Sequence, residues 1–173
     1  MACSTITTIT KGCDNNIGGI VSILINDQDN LGTLVINTTT WTVTDFGTLL
    51  DEFVAFEFRR NTGNFTEEAS IDLVNGSSFI TGTVNLMFHR REAAKSKSIK
   101  ILGEGQRDLA LVVGDANGKY WYFPNAQLTA TAEGSGTAKA DGSKYSVTFV
   151  AEYENLAYEV DSSIIAGLTT PIS

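Results

Sequence analysis

The feature that most constrains the fold is a strict alternation of residue types between Tyr145 and Tyr153. Every second residue of this segment is apolar or aromatic, beginning with Tyr145, and the residues between them are polar at three positions out of four. Successive side chains of a β-strand point to opposite faces, so this pattern is typical of a strand that places one face in a core. Residues 145–153 therefore predict a half-buried strand.

The middle of the chain carries the same alternation. Residues 54–58 and 69–73 each place apolar side chains at every second position, and residues 80–88 do so with one interruption. Turn residues separate these segments, at Asn61 to Gly63 and at the Asn75–Gly76 pair, which is a strong hairpin signal. We predict that the three segments form an antiparallel meander.

Further short apolar runs predict more strands, and only one segment predicts a helix. The additional strands are expected at residues 20–26, 33–36, 41–44, 109–113, 120–123 and 128–132. Residues 91–102 are rich in helix formers and are followed by Gly103 and Gly105, which commonly end helices. We predict a mainly β fold, an antiparallel β-barrel or sandwich, with one flanking α-helix at about 91–103. Residues 1–173 are expected to form one domain with an irregular N-terminal segment, 1–19.

Composition excludes two classes of protein. Hydrophobic residues make up 42% of the chain, which excludes a disordered protein. The formal net charge is −8, so the chain as a whole repels phosphate and lacks the electrostatic attraction on which nucleic-acid binding depends. This charge suits solubility, and it also suits a protein that lets DNA pass without retaining it.

The N-terminal residues predict no targeting segment. Residues 1–12 lack the basic start and continuous apolar stretch of a signal peptide, and no apolar run reaches the length of about 18 residues that a membrane helix requires. We expect the protein to fold in a cytoplasm without a membrane partner. Cys3 and Cys13 would then stay reduced, although a bridge between them in a released particle remains an alternative.

Residues for catalysis or metal binding are scarce. His89 is the only histidine, and no nucleotide-binding loop, zinc-protease motif or serine-hydrolase motif is present. The acidic neighbours Asp51–Glu52 and Glu67–Glu68 point to opposite faces of a strand, so neither pair can act as a unit. The segment from Asp115 to Gly118 lacks the closing ligands of a calcium loop and predicts a turn. We predict no enzyme activity, no cofactor and no metal.

Four arginines form two basic pairs in this acidic chain. Arg59 and Arg60 follow the first strand of the predicted meander, and Arg90 and Arg91 follow its last strand. The acidic total outweighs them, so we interpret these residues as candidate subunit contacts rather than as a nucleic-acid site.

Several segments, in order along nearly the whole chain, resemble one protein family. They are Cys3 with Lys11-Gly-Cys13, Asn15-Asn-Ile-Gly-Gly19, Phe56-Glu-Phe-Arg-Arg60, Asn64-Phe-Thr-Glu-Glu68, Phe88-His-Arg-Arg-Glu-Ala-Ala94, Asn117-Gly-Lys-Tyr-Trp121 and Glu154-Asn-Leu-Ala-Tyr-Glu-Val-Asp161. Together they are similar to tail tube proteins of phages that infect Bacteroidetes-type hosts, including crAss-like phages.

The resemblance implies a structural protein of the virion. It implies a tail-tube type of β-barrel that assembles into homo-oligomeric rings, hexameric or alternatively twelve-fold, which form a conduit for DNA ejection. Other tail, portal or adaptor proteins would be partners, and assembly would take place in the bacterial host cytoplasm before the protein resides in the virion tail. The alternatives are a single-ring adaptor between portal and tail, or a carbohydrate-binding virion module that uses Trp41, Trp121 and Tyr120.

A conduit for DNA predicts which side chains face its lumen. Acidic and small polar residues avoid retaining phosphate, and the polar face of the predicted meander supplies them. The candidate lumen-facing residues are Glu57, Glu68, Ser70, Asp72, Thr81, Thr83 and Asn85. We further expect the N-terminal segment 1–19, which has too few apolar residues to pack alone, to reach a neighbouring subunit.

Overall fold

The computed structural model describes residues 7–169. Within this range the chain forms ten strands and two α-helices. The strands are β1 (Ile20–Asp27), β2 (Val35–Asn37), β3 (Thr42–Asp45), β4 (Val54–Phe56), β5 (Gly63–Asp72), β6 (Ser77–His89), β7 (Leu109–Asp115), β8 (Tyr120–Gly134), β9 (Lys144–Tyr153) and β10 (Tyr158–Val160). The helices are α1 (Ala93–Gly103) and α2 (Ser162–Leu168). The prediction of a mainly β fold is confirmed.

The strands form two sheets that share β8. The first sheet has the order β2-β3-β10-β8-β7-β1-β4, and the second has the order β5-β6-β9-β8. All pairs are antiparallel except β3 with β10. The first part of β8 pairs with β7, and the register of β8 against β9 shifts between Leu128 and Ala130. Such an irregularity bends a strand, which lets one chain segment pass from one sheet into the other.

The main core lies between the two sheets, and a second core covers the outer face of the first sheet. Strand β7 contacts both, because Leu109, Leu111 and Val113 belong to the main core whereas Ala110 and Val112 belong to the second. Burial on both faces explains why this strand reads as a continuous apolar run instead of an alternation.

The predicted helix is present as α1. It buries only Ile99 and Leu102, which join the main core. The hydroxyl groups of Ser96 and Tyr145 lie 2.7 Å apart in a hydrogen bond, so the helix is attached to β9 at a polar contact as well. Gly105 follows at a φ of 71°, a left-handed conformation that suits glycine at a helix end.

The predicted meander is wrong in its first strand. The segment predicted at 54–58 ends at Phe56 as β4 and pairs with β1, with Ile23 opposite Phe56, in the first sheet. Strand β6 has β9 as its second neighbour instead. Alternation specifies which face of a strand is buried but not which strand lies beside it, and the residues between β4 and β5 allow the chain to change sheets.

Three further elements differ from the prediction. The strands expected at 120–123 and 128–132 are one continuous strand, β8. Strand β10 was not predicted, and the expectation of a single helix is wrong because α2 is also present. Asp161 caps α2, since its Oδ1 accepts a hydrogen bond from the Ser163 N–H at 2.9 Å. The helix has seven residues, too few to show a helical period in the sequence.

Candidate assembly surface and aromatic cleft

The second sheet has one buried face and one free face. The buried face contributes Val84, Leu86, Tyr145, Val147 and Phe149 to the main core, each at most 3% exposed. The free face carries the alternate residues of the same strands, which are mostly polar and exposed or half-buried. We call this the polar face. Its members include Asn64, Thr66, Glu68, Ser70 and Asp72 of β5, Thr81, Thr83 and Asn85 of β6, and Lys144, Ser146, Thr148 and Glu152 of β9.

The register brings six of the seven predicted lumen residues onto the polar face. Glu68 lies opposite Thr81, and Thr81 in turn lies opposite Glu152. Asn85 lies opposite Thr148, whose hydroxyl donates to Asn85 Oδ1 at 2.9 Å. The seventh residue, Glu57, follows β4 of the first sheet and is exposed there, so it does not share this face.

Strand β9 supplies part of the polar face that the sequence prediction missed. Ser146, Thr148 and Glu152 are the polar members of the alternation in residues 145–153. That alternation predicts a half-buried strand but does not predict which strand lies beside it. The three residues pair with Met87, Asn85 and Thr81 of β6, which lie 59 to 71 residues earlier in the chain. The alternation indicates which face of β9 is polar, but it does not indicate that β6 is the neighbouring strand.

The polar face is negative at one end. Glu68, Asp72 and Glu152 lie toward the turn between β5 and β6, whereas His89 and Lys144 lie opposite each other at the other end. Asp72 accepts hydrogen bonds from the N–H groups of Asn75 and Val74 and from the Asn75 side chain, at 2.6 to 3.1 Å. These bonds lower the pKa of the Asp72 carboxyl, and the bond from the Asn75 N–H has the largest effect. It is therefore ionised at neutral pH.

The four predicted contact arginines lie in segments that adjoin the positive end. Arg90 and Arg91 directly follow β6, and the Arg59–Arg60 loop is held beside the end of β6 because the Met87 N–H donates to the Thr62 carbonyl at 2.9 Å. Arg90 pairs with Glu92 at 3.2 Å, and the Arg91 guanidinium lies 5.7 Å from the centroid of the Tyr145 ring. Both basic pairs therefore adjoin the same end of β6, with Arg60 beside Val21 and Ala116.

The turn between β5 and β6 forms an exposed apolar tip at the negative end. Ile71, Leu73 and Val74 are 70%, 90% and 93% exposed. Strand β6 has 13 residues, so this hairpin tip lies roughly 40 Å from the arginines at about 3.3 Å per residue. One sheet therefore carries an acidic, apolar end and a basic end.

Neither edge of the second sheet pairs with a further strand in the described chain. Within residues 7–169, β5 pairs only with β6, and the part of β8 from Gln127 to Gly134 pairs only with β9. Each edge presents a row of backbone N–H and C=O groups without a strand partner, a condition that proteins usually relieve by covering or pairing.

A second surface feature is a cleft of about 510 Å³ at the end of the first sheet. It lies between Thr40–Trp41, which precede β3, and the loop from β9 to β10; we call it the aromatic cleft. Its lining residues are Thr40, Trp41, Ile80, Trp121, Glu154, Asn155, Leu156, Ala157, Tyr158 and Glu159. The rings of Trp41 and Tyr158 stack with centroids 5.7 Å apart and planes 24° apart. Of the predicted sugar-stacking residues, Trp41 and Trp121 meet here, whereas Tyr120 packs against the second core.

The structure describes two segments that the sequence offered for metal binding or a disulfide, namely the turn at Asp115 and the segment that contains Cys13. Both carboxylate oxygens of Asp115 accept hydrogen bonds, from the Asn117 and Lys119 N–H groups and from the Trp121 indole, so this segment is a turn. Among residues 7–169, no three His, Cys, Asp or Glu side chains are grouped to hold a metal ion. Cys13 is exposed, and Cys3 lies outside the described residues. In the same range, neither helix has the length and apolar character of a membrane span.

Comparisons with known proteins give a structural similarity. No family model matches the chain, and no curated protein matches it. Among solved structures, the chain is similar to the crystal structure of Hcp1 from Salmonella typhimurium, with a TM-score of 0.38 and 11% sequence identity. The match covers 82% of this chain and 93% of Hcp1.

Proposed function

We propose that this protein assembles with copies of itself into a ring whose wall is a closed β-barrel, and that the ring is a conduit of a phage tail. The observation that carries the proposal is the second sheet, which combines two open edges with one free, polar face. Pairing the β5 edge of one subunit with the β8 edge of the next removes both exposed edges from every subunit.

Strand directions support this closure. The order β5-β6-β9-β8 is antiparallel throughout, so β5 and β8 run in opposite directions at the two edges of an even-stranded sheet. Rotation about an axis along the strands then sets β5 of one subunit antiparallel to β8 of its neighbour. A ring of six such sheets, at about 4.8 Å per strand, has a backbone diameter of roughly 37 Å before strand tilt widens it. This is the hexameric form of the proposal, and a twelve-fold ring has twice the circumference.

Only the polar face is available to line the barrel. The opposite face is filled by the main core, including Val147 and Phe149, so the body of each subunit must lie outside the barrel wall. The lumen then carries amides, hydroxyls and the carboxylates of Glu68, Asp72 and Glu152. A surface of this kind offers few cations to phosphate, which favours transit of DNA over retention.

The two ends of the sheet are complementary, which supports stacking of rings. The hairpin tip is apolar and borders acidic residues, whereas the opposite end presents the Arg59–Arg60 and Arg90–Arg91 pairs. Contacts between unlike ends repeat in one direction and build open-ended assemblies. Such contacts would build a tube of stacked rings with other tail proteins at its ends. The alternative, a single-ring adaptor, would use only the contacts within one ring.

An edge-blocking substitution tests the ring contact. Since the Met87 N–H bonds to Thr62, the register directs the N–H groups of residues 64, 66, 68 and 70 toward β6 and those of 65, 67 and 69 toward the open edge. Ala69→Pro therefore removes an outward N–H and leaves the hairpin bonds intact. We expect a folded monomer by circular dichroism and light scattering.

The matched control is Ala69→Val, which keeps the N–H and should form rings visible by negative-stain microscopy. Assembly of Ala69→Pro at the wild-type level would contradict the ring contact. A wild-type protein that stays monomeric at all concentrations and salts would contradict the conduit as a whole.

The hairpin tip allows a separate test of stacking. Leu73→Asp with Val74→Asp removes the apolar contact and adds charge, so we expect single rings instead of tubes. Leu50, which is 79% exposed in the loop before β4, provides the control, since Leu50→Asp changes the same chemistry elsewhere. Equal tube lengths for both variants would show that the tip does not stack rings.

A further inference from the structure

The conformation of Trp41 is costly, and it has a consequence at the surface. Trp41 has a φ of 57°, in the left-handed region that disfavours residues with a Cβ, at a cost of about 1–2 kcal/mol. The side chain is nevertheless 58% exposed, so burial does not offset this cost. Trp41 ends the turn between β2 and β3, where its N–H donates to the Asn37 carbonyl at 2.8 Å, and its indole stacks on Tyr158 as part of the wall of the aromatic cleft. Strained residues of this kind cluster at ligand sites.

The cleft combines aromatic faces with polar groups. Trp121 contributes a second, half-buried indole, held in place because its N–H donates to Asp115 Oδ2 at 3.0 Å. Asn155 lines the same cleft and donates to the Tyr158 hydroxyl at 3.2 Å. Glu154 and Thr40 also line the cleft, and the Thr40 hydroxyl is hydrogen-bonded to that of Thr42 at 2.6 Å. Ligand sites are commonly built in this way, with flat apolar contacts and a few polar groups that set orientation.

We propose that the aromatic cleft binds a neutral saccharide. A pyranose ring has an apolar C–H face that suits an exposed indole and an equatorial set of hydroxyls that suits carboxylates and amides. The negative charge around the site disfavours anionic sugars. Glu154 and Glu159 line the cleft, and Lys119 forms an ion pair with Glu159. The protein as a whole carries a formal net charge of −8.

The cleft residues are distinct from those of the proposed ring contact, although Ile80 of the cleft lies opposite Ala69 of β5. None of the cleft residues belongs to the polar face or to the open edge of β5, and its lining comes mainly from the first sheet and the loop from β9 to β10. A saccharide site on the body of the subunit therefore adds a surface-binding function to a conduit, and it exists equally on a monomer.

The test titrates the full chain with four neutral oligosaccharides: cellohexaose, maltohexaose, mannohexaose and chitohexaose. Concentrations reach about 10 mM, because stacking on a single aromatic wall gives dissociation constants near the millimolar range. Tryptophan fluorescence and calorimetry report binding, and polygalacturonate is the anionic comparison. We expect at least one neutral oligosaccharide to bind and polygalacturonate not to bind.

The deciding variant is Trp41→Asn, because asparagine tolerates a positive φ and the variant should fold at least as well as the parent. We expect a loss of affinity of at least tenfold, whereas Leu50→Ala, a second exposed position, leaves it unchanged. Absence of binding by every neutral oligosaccharide overturns the proposal, as does equal binding by Trp41→Asn. A change of oligomeric state in Trp41→Asn without saccharide binding would identify the cleft as a subunit contact instead.

Discussion

The Tyr153 hydroxyl donates a hydrogen bond of 2.7 Å to Oε1 of Glu67, and the same oxygen accepts the Ala157 N–H at 2.8 Å. Glu67 lies on β5, Tyr153 ends β9, and Ala157 lies in the loop that lines the aromatic cleft. One carboxylate oxygen thus joins the edge strand of the second sheet to the wall of the cleft. Because Glu67 is half-buried, loss of this acceptor leaves two donors poorly solvated.

The first prediction concerns Glu67. Glu67→Ala should lower the free energy of unfolding by about 1–3 kcal/mol, since two partly buried donors lose their partner. Glu67→Gln keeps an oxygen acceptor and should lose less. Chemical denaturation measures both. The neighbouring Glu68→Ala, on the exposed polar face, serves as the control and should change stability little; an equal loss there would refute the role of Glu67.

The second prediction concerns alkaline pH. Burial raises the pKa of the Tyr153 phenol, and the hydrogen bond and charge of Glu67 raise it further. A raised pKa in the folded state means that stability is complete below the unfolded value of about 10 and declines as the pH rises above it. Denaturation midpoints should therefore fall above about pH 10. Tyr153→Phe should reduce this decline without abolishing it, because burial also raises the pKa of Tyr122.

The third prediction concerns Gly82 of β6. A Cβ at this position would meet the Tyr153 hydroxyl oxygen, and it would lie 3.0 Å from Phe123 Cδ1. Gly82→Ala should therefore cost about 1–3 kcal/mol in thermal or chemical unfolding, the usual range for overpacking. A Cβ at Gly167 in α2 would meet nothing within 4 Å, so Gly167→Ala is the control and should be neutral or stabilising. If both variants behave alike, the close packing at Gly82 is not important.

The fourth prediction concerns the charge of the polar face. Asp72 is unsuitable for a charge reversal because it holds the hairpin turn, so the test uses Glu68→Lys with Glu152→Lys. In assembled rings we expect duplex DNA to be retained, with affinity that falls steeply as salt rises. Fluorescence anisotropy measures this. The control is Glu57→Lys with Glu104→Lys, which changes the net charge equally at exposed positions away from the polar face. DNA binding by the control alone would exclude a lumen role for Glu68 and Glu152.

The fifth prediction concerns the N-terminal segment. Residues 7–15 are exposed and form no helix or strand, whereas the Ile17 N–H donates to Asn117 Oδ1 and the Gly19 carbonyl accepts the Ala116 N–H. Removal of residues 1–15 should therefore leave the melting temperature unchanged and shorten or abolish tubes. Truncation that lowers the melting temperature would mean that the segment stabilises its own subunit. Wild-type tube length after truncation would exclude a role in assembly.

The candidate site was predictable only in part. Alternation in residues 69–73 and 80–88 placed half of the named residues of the polar face, and Asn75–Gly76 marked its hairpin turn. Glu57 was misplaced because its alternating neighbours, Phe56 and Phe58, look the same whether the strand pairs with β1 or with β5. Tyr158 was missed because one aromatic residue in a short strand carries no pattern that points to Trp41.

By itself the sequence determined the local conformations of this protein: the strands with one apolar face, the double-sided strand of Leu109 to Val113, the turns and helix α1. These follow from side-chain spacing and turn chemistry, which act over a few residues. Only the tertiary structure decided which strands are neighbours, and with that the polar face shared by β5, β6 and β9 and the meeting of Trp41 with Tyr158. The physical reason is that partners far apart in the chain are selected by packing around a common core, and an alternating strand fits several neighbours equally well until that core is complete.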